Sequence, residues 1–327
     1  MTDELPLVIV SRALPPGWLD RLEGSCRMLV GDADTPGFEP HLLEALPSAE
    51  GLLCLLTERV DDALLEQAPK LRVVSNMAVG VDNIDVEACT RRGIPVGNTP
   101  GVLTEATADL TMALLLSAAR QLPVAAKDAR EGRWSTWSPT GWLGLDLHGA
   151  TLGIVGLGKI GQAVARRARG FGMTLRYASS SAKPEAEAEL GLQRMSLPEL
   201  LAECDIVSLH VPLSEQTRGL IDADALSRMK PTALLVNTAR GPIVDSAALE
   251  HALRSGTIAG AAIDVTDPEP LPASHSLFSC PGLLVLPHIG SATHGTRRRM
   301  AELAADNILA GLAGRPLPHT VNPDVAR

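Results

Sequence analysis

The segment Thr151-Leu152-Gly153-Ile154-Val155-Gly156-Leu157-Gly158-Lys159-Ile160-Gly161 constrains this chain more than any other, and it lies near the midpoint of 327 residues. An apolar run, Thr151 to Val155, leads straight into Gly-x-Gly-x-x-Gly, and a helical pattern opens at about Lys159. Gly156 permits a tight turn, Gly158 lets a pyrophosphate approach the backbone, and Gly161 lets the helix pack against the strand. The helix N-terminus can then hold the phosphate charge. In a strand-turn-helix context this pattern predicts a dinucleotide-binding domain; without that context the glycines would mark only a turn. About 150 residues precede the motif, enough for a separate domain.

Those first residues alternate short apolar strands with amphipathic helices. Strands are expected at Leu7–Val10, Arg27–Val30, Gly51–Leu55, Arg72–Ser75 and Pro95–Gly97, with helices near 16–23, 40–46, 61–67 and 84–91. Such alternation means a parallel sheet covered by helices on both faces. Asn98-Thr99-Pro100-Gly101 breaks the pattern, and a long, nearly continuous apolar helix follows over Leu103 to Arg120. Residues 121–150 read as irregular and hold three of the four tryptophans, Trp134, Trp137 and Trp142. An irregular segment of that length is usually functional or packs on a partner. A second alternating set begins at Thr151, with strands at 151–155, 173–177, 205–209, 233–237, 259–263 and 283–286. Its helices are expected near 159–170, 185–191, 197–203, 222–228 and 245–254. This predicts a six-strand doubly wound sheet. A last helix, about Thr293 to Ala313, follows the completed sheet and is long enough to return to the first domain.

Composition narrows the function classes. No apolar run is long enough to span a membrane, and the acidic start MTDELPLVIV lacks the basic region of a signal peptide. Five scattered cysteines (Cys26, Cys54, Cys89, Cys204, Cys280) show no metal-ligand spacing, so reduced thiols of a cytoplasmic protein are expected and no metal site. A net charge of -9 argues against nucleic-acid binding. The Arg297-Arg298-Arg299 cluster reads as a solvated helix face or interface.

The second strand of the glycine-motif domain discriminates between cofactors. A Rossmann domain specific for NAD places Asp or Glu about twenty residues after its first glycine, on the ribose hydroxyls. Here Ala178 stands at that place, followed by Ser179-Ser180-Ser181-Ala182-Lys183. A carboxylate would repel a 2′-phosphate, whereas small hydroxyls and a lysine can bind one. NADP is therefore favoured over NAD; a polar loop that accepts either is the alternative.

The reaction must come from other loops at the carboxyl ends of the strands, where ligands bind in this architecture. Three of them end in Asn237-Thr238-Ala239-Arg240, Asp264-Val265-Thr266-Asp267-Pro268-Glu269 and Pro287-His288-Ile289-Gly290-Ser291. Arg240 supplies a planar fork for a substrate carboxylate. His288 suits proton transfer near neutral pH, and a neighbouring Glu269 would orient it and favour its protonated form. Each alone would more often be structural, but three strand ends of one sheet point to one cleft.

Over essentially its whole length the chain resembles the D-2-hydroxyacid dehydrogenases, through VVSNMAVGVDNID (73–85), GIVGLGKIGQAVARR (153–167), LLVNTARGPIVD (234–245), AAIDVTDPEPLP (261–272) and LPHIGSATHGTRRRM (286–300). A narrower likeness to glyoxylate/hydroxypyruvate reductases lies in GLLCLLTERVD (51–61), the loop through Trp142-Leu143-Gly144, and PHIGSAT (287–293). The resemblance implies two doubly wound α/β domains. A Rossmann cofactor domain (100–290, with a dimerisation segment at about 100–150) is inserted into a flavodoxin-like substrate domain (1–99 and 291–327). It implies reduction of small 2-oxo acids by a homodimer. Arg240 would bind the 2-oxo acid, Glu269 support the histidine and His288 donate the proton. The amides of Val79 and Gly80 would hold the substrate carboxylate, Leu55 and Ser291 would line the pocket, and Trp142 would reach the neighbouring subunit's site. Leu157 to Ile160 would face the pyrophosphate, Ser179 to Ser181 the 2′-phosphate, and Asp264 the nicotinamide carboxamide. Thr238, Ala239 and Gly290 would line the nicotinamide pocket, with His210, Pro212 and Thr217 as further cofactor contacts. The serine run departs from family members that carry an arginine there. Another acid specificity in the same family, or a nucleotide-sensing scaffold or corepressor of the same fold, is the alternative; phosphoglycerate is disfavoured because the pocket segments show no basic cluster for a second phosphate.

Overall fold

Short apolar runs at the start of the chain become parallel strands: β1 (Leu7–Val10), β2 (Arg27–Val30), β3 (Gly51–Cys54), β4 (Val73–Asn76) and β5 (Val96–Gly97). These belong to a computed structural model that describes residues 5–325. Between the strands lie α1 (Pro40–Ala45), α2 (Asp62–Glu66) and α3 (Val86–Arg91). Two of these helices start where aspartate caps them: Asp61 accepts the Leu64 amide at 3.1 Å and Asp85 the Ala88 amide at 2.7 Å. The strand order is β2-β1-β3-β4-β5 with every pairing parallel, the flavodoxin-like order. β3 and β4 are buried along their whole length; β3 is an apolar run, whereas β4 ends in the buried polar pair Ser75 and Asn76. The helix expected over 16–23 is only a 3-10 turn, Asp20–Leu22. Pro15, Pro16 and Gly17 precede it, and Gly24 follows with φ +71°, so no second turn can form.

The chain then enters a second unit through α4 (Thr104–Ala119) and α5 (Leu122–Arg130), continuing with β6 (Thr151–Val155), α6 (Lys159–Gly170) and β7 (Thr174–Ala178). Next come α7 (Pro184–Leu190), β8 (Gln193–Arg194), α8 (Leu197–Glu203), β9 (Ile206–Leu209), α9 (Ala223–Arg228) and β10 (Leu234–Asn237). The unit closes with α10 (Ser246–Ser255), β11 (Gly260–Ile263) and β12 (Leu283–Val285), before α11 (His294–Leu312). The first unit comprises Met1–Leu103 and Thr293–Arg327, the second Thr104–Ala292. Its edges fall at the first turns of α4 and α11, so each long helix belongs wholly to one unit.

The second sheet has the order β12-β11-β10-β9-β6-β7-β8, again all parallel. It holds seven strands among the described residues rather than the expected six. The extra one, β8, is two residues long and carries no apolar period of its own; pairing with β7 creates it. Side chains alternate across this sheet into two cores. Leu152, Ile154, Ile206, Leu234 and Val236 join α4 and α6 on one face, and Val155, Val207, Leu209 and Leu235 join α8, α9 and α10 on the other. The second correction is α5, which lies inside the segment expected to be irregular. Pro123 reads as a breaker but sits in the first turn, where proline is tolerated, and no residue of α5 is buried, so no core periodicity reveals it.

In the first unit α11 packs across β3 and β4. Contact is so close at Gly311 that a Cβ there would lie 2.4 Å from Val73 Cβ. Alanine would gain about 1 kcal/mol of helix propensity, but overpacking against a rigid β-branched neighbour costs roughly 1–3 kcal/mol. Gly311→Ala should therefore lower the urea midpoint of the first unit. A midpoint equal to or above that of the wild type would show that α11 can lift from the sheet at no cost.

Candidate active site

The glycine turn begins where β6 ends. Gly156 has φ +96°, and a Cβ there would lie 2.7 Å from the backbone C and O of His210. Backbone bonds tie the turn to both neighbouring strand ends: His210 N donates to Val155 O at 2.7 Å, and Gly156 N to Ala178 O at the end of β7 at 2.8 Å. A Cβ on Gly161 would lie 2.3 Å from Gly156 O, so the helix start presses on the turn. Gly158 is the exception, because a Cβ there would meet nothing within 4 Å. Open space over Gly158, and α6 starting with no side chain on its N-terminal amides, fit a pyrophosphate. Lys159 and Ile160 form the first turn of that helix. The Leu157 side chain is in the core, so only its backbone is available to a ligand.

Around this turn the remaining strand ends form a rim. At the end of β7, Ala178 is buried, and Ser179 to Ser181 form the loop into α7. The Lys183 amide donates to the Tyr177 hydroxyl at 2.9 Å, fixing the far end of that loop. Sequence reasoning missed Arg194 in β8, whose Nη2 donates to the Ser179 and Ser180 carbonyls at 2.9 and 3.3 Å. His210 shares a 2.8 Å hydrogen bond with the Ser208 hydroxyl through Nε2, and burial pushes its imidazole down to about 4, so it is neutral at physiological pH. The Thr217 hydroxyl turns into its own loop, donating to Pro212 O at 2.6 Å and accepting the Ser214 amide at 2.8 Å. Thr238 lies 2.9 Å, hydroxyl to hydroxyl, from Thr111 of α4. Asn237 is buried and locks the β10 loop, accepting the Ala239 amide at 3.0 Å and donating to Arg240 O at 2.9 Å. Arg240 itself is extended, and its Nη1 donates to Ala239 O at 2.8 Å.

Asp264, at the end of β11, organises the next loop. Its buried carboxylate accepts the amides of Ile289 and Gly290, both at 2.7 Å, and its carbonyl accepts the His288 amide at 2.8 Å. Burial is the largest influence on this carboxyl and pushes it above its ordinary value, against the two amides and the nearby His288. His288 is held at φ +53°, a left-handed conformation that costs a non-glycine residue roughly 1–2 kcal/mol. Turned this way, its Nδ1 donates to Glu269 Oε1 at 2.5 Å. Glu269 Oε2 also accepts the Thr266 amide at 3.2 Å. Burial opposes ionisation of Glu269, but the hydrogen bond and charge of His288, the Thr266 amide and the charge of Arg240 outweigh it and hold the carboxyl below its usual range. With Nδ1 engaged, Nε2 of His288 is the ring nitrogen left for a reacting group. Gly290 O accepts from Thr107 at 3.3 Å, and Ser291 follows in the turn closed by Ala292 N to Ile289 O.

In the first unit, Leu55 lies at the end of β3, next to the switch point between β1 and β3. Fully buried Glu58 anchors it. One oxygen accepts the Leu55 amide and the Ser11 hydroxyl, both at 2.7 Å; the other accepts the Thr57 hydroxyl at 2.7 Å and Arg12 Nε at 3.1 Å. Asn98 donates to Val79 O and Asn76 to Gly80 O, each at 2.8 Å. Asn83 bridges Asn76 to the carbonyls of Leu55 and Glu58 at 3.0 and 2.9 Å. Among the described residues no chain acceptor takes the amides of Val79 or Gly80. Trp142 has φ +49° and donates from Nε1 to Asp128 of α5 at 2.9 Å.

Comparison with known proteins gives the same outline. Residues 112–290 match the model of the D-isomer specific 2-hydroxyacid dehydrogenase, NAD binding domain. A glyoxylate reductase of Thermococcus kodakarensis is 48% identical, with 98% of each chain covered. A Thermus thermophilus crystal structure superposes with a TM-score of 0.90 at 49% identity, covering 96% of this chain and 99% of that one. The NADPH-dependent glyoxylate/hydroxypyruvate reductase of Sinorhizobium meliloti, in complex with NADP and malonate, has a TM-score of 0.86 at 33% identity, covering 98% and 97%.

The His288–Glu269 pair has a consequence for stability. Glu269 titrates lower folded than unfolded, so its contribution is complete above the unfolded pKa, about 4.3, and is lost as pH falls through the folded value. In unfolding titrations, the stability gap between wild type and Glu269→Gln should narrow as pH drops from about 5 to about 3. A gap constant over that range would remove the ion pair from the account.

Proposed function

The chain belongs to the D-2-hydroxyacid dehydrogenase family, and from that premise we propose that it reduces small 2-oxo acids, glyoxylate and hydroxypyruvate, to glycolate and D-glycerate with NADPH. The observation that carries this reading is His288, clamped by Glu269 through Nδ1 with Nε2 left over, on the same sheet edge as Arg240. When bound, the reduced nicotinamide supplies a hydride to the carbonyl carbon. The chain's own residues do the rest. The Arg240 fork binds the 2-oxo acid and stabilises negative charge growing on the carbonyl oxygen. The Nε2 proton of His288 moves to that oxygen and completes the hydroxyl, while Glu269 keeps the ring in place.

For the cofactor, the turn from Gly156 through Leu157, Gly158, Lys159 and Ile160 to Gly161 takes the pyrophosphate. Thr238, Ala239, Asp264 and Gly290 flank the nicotinamide. His210, Pro212 and Thr217 act through backbone and shape, since their polar side-chain groups are turned inward or absent. Absence of a carboxylate at Ala178 and the hydroxyls of Ser179, Ser180 and Ser181 with Lys183 support NADP over NAD. On the substrate side, the carbonyls of Val79 and Gly80 are turned onto asparagines, which supports their amides as the carboxylate holders; Leu55 and Ser291 act as pocket wall.

A homodimer built through residues 100–150 belongs to the same reading, with Trp142 serving the partner's site. It is supported by the exposed apolar side chains of that segment: Trp137 at 80%, Leu143 at 65%, Trp134 at 64%, Leu122 at 50% and Val124 at 46%. Five buried cysteines without disulfides suit the reducing cytoplasm. No described helix is long and apolar enough to cross a membrane.

The deciding experiment is initial rates on a panel of 2-oxo acids with NADPH and NADH side by side. Oxidation of neither cofactor with any acid would favour a nucleotide-sensing scaffold of this fold. His288→Ala should lower turnover at least ~100-fold, as loss of a general acid requires; a near-normal rate would refute its role. Sedimentation equilibrium at micromolar protein should show a dimer, and a monomer would remove the interface.

A further inference from the structure

The loop after β7 is built more firmly than three serines suggest. Tyr177, the single tyrosine of the chain, is fully buried in β7. Its hydroxyl donates to the Glu187 carboxylate of α7 and accepts the Lys183 amide at 2.9 Å, which ties the loop's far end to the core. At the near end, Ala178 O takes the Gly156 amide at 2.8 Å, which sets the loop beside the glycine turn. Between these anchors the serines are spanned by Arg194. It pairs in register with Tyr177 at the edge of the sheet, and its Nη2 donates to Ser179 O and Ser180 O at 2.9 and 3.3 Å.

This placement puts a cation on the serine loop. A guanidinium has five N–H donors in a rigid fork. Nη2 is used by the two carbonyls, and among the described residues no protein acceptor takes Nε or Nη1. Helix α7 beside it is acidic, with Glu185, Glu187 and Glu189. Lys183 stands at the loop's far end, and the two other arginines nearby are engaged elsewhere: Arg176 bonds Leu175 O and Arg169 bonds Glu189 O. Serine hydroxyls can hydrogen-bond a phosphate but bring no charge to offset a group carrying about -1.5 to -2 at neutral pH.

Resting on the NADP reading above, we infer that Arg194 is the specificity-determining residue for the 2′-phosphate, holding the serine loop with Nη2 and offering Nε and Nη1 to the phosphate oxygens. The cation comes from the neighbouring edge strand, across the sheet from the loop. The fork geometry suits phosphate oxygens better than a point charge does.

Binding to the cofactor-free protein tests this without turnover. Calorimetric titration with adenosine 2′,5′-bisphosphate and with adenosine 5′-monophosphate isolates the 2′-phosphate. Wild type should prefer the bisphosphate, and Arg194→Gln should weaken bisphosphate binding about 10-fold, as loss of a charged hydrogen-bond partner implies, with the monophosphate unchanged. Arg194→Lys should recover part of the loss. If Arg194→Gln weakens both ligands equally, Arg194 only shapes the loop and the inference fails. If the wild-type preference survives intact in Arg194→Gln, the inference fails while the NADP reading stands. If wild type binds both ligands equally, the NADP reading falls and takes the inference with it.

Discussion

A single buried carboxylate sets the geometry of the candidate catalytic edge. Asp264 accepts two consecutive amides after β12, and those bonds turn the backbone at His288 into the left-handed region. Hydrogen bonds to a charged group contribute roughly 1.5–3 kcal/mol each, more than the 1–2 kcal/mol or so that the left-handed residue costs. The anchor is itself expensive: burial raises the Asp264 carboxyl, so ionising it there is unfavourable relative to the unfolded chain. His288 meets Glu269 from that turn.

The same sheet edge is drawn tight by glycines. Besides the turn at Gly156, Gly241 passes so close to the next loop that a Cβ would lie 1.9 Å from Thr266 O. Such approaches leave no slack between the β10 and β11 loops, which carry Arg240 and Glu269. His210, against the glycine turn, stays neutral through the physiological range, so it brings no titrating charge to the turn. In the first unit, rigidity comes from polar side chains instead. Glu58 takes the Leu55 amide, and Asn76, Asn83 and Asn98 take the carbonyls of Gly80, Leu55 and Val79. Buried polar groups must be satisfied, and satisfying these fixes the loops.

Much of this was legible in the residues. Strands β1 and β6, nearly buried throughout, announce themselves as apolar runs, and they and the more exposed β2 lie where alternation put them. The positions of Arg240, Glu269 and His288 at strand ends of one sheet, and the contact of the last two, could be expected because the architecture dictates where ligands bind. What escaped had no local signal. β8 has two polar residues and exists only through β7; α5 buries nothing; the turn at 20–22 sits between backbone breakers. Leu157 reads as part of a phosphate loop, yet its side chain belongs to the core, which the glycine spacing does not reveal. Arg194 was invisible for the same reason as β8, since only strand pairing brings it to the serines.

The sequence by itself determined the two parallel sheets, the insertion of one unit into the other and the strand ends at which Arg240, Glu269 and His288 stand. Periodicity and the glycine spacing are local properties, and local properties survive in a one-dimensional string. Tertiary structure alone decided which ring nitrogen of His288 is left over, which carboxylate sets its backbone, and which arginine leans on the serine loop. Those depend on hydrogen bonds between residues 19, 25 or 15 positions apart, whose partners are chosen by packing and not by order along the chain.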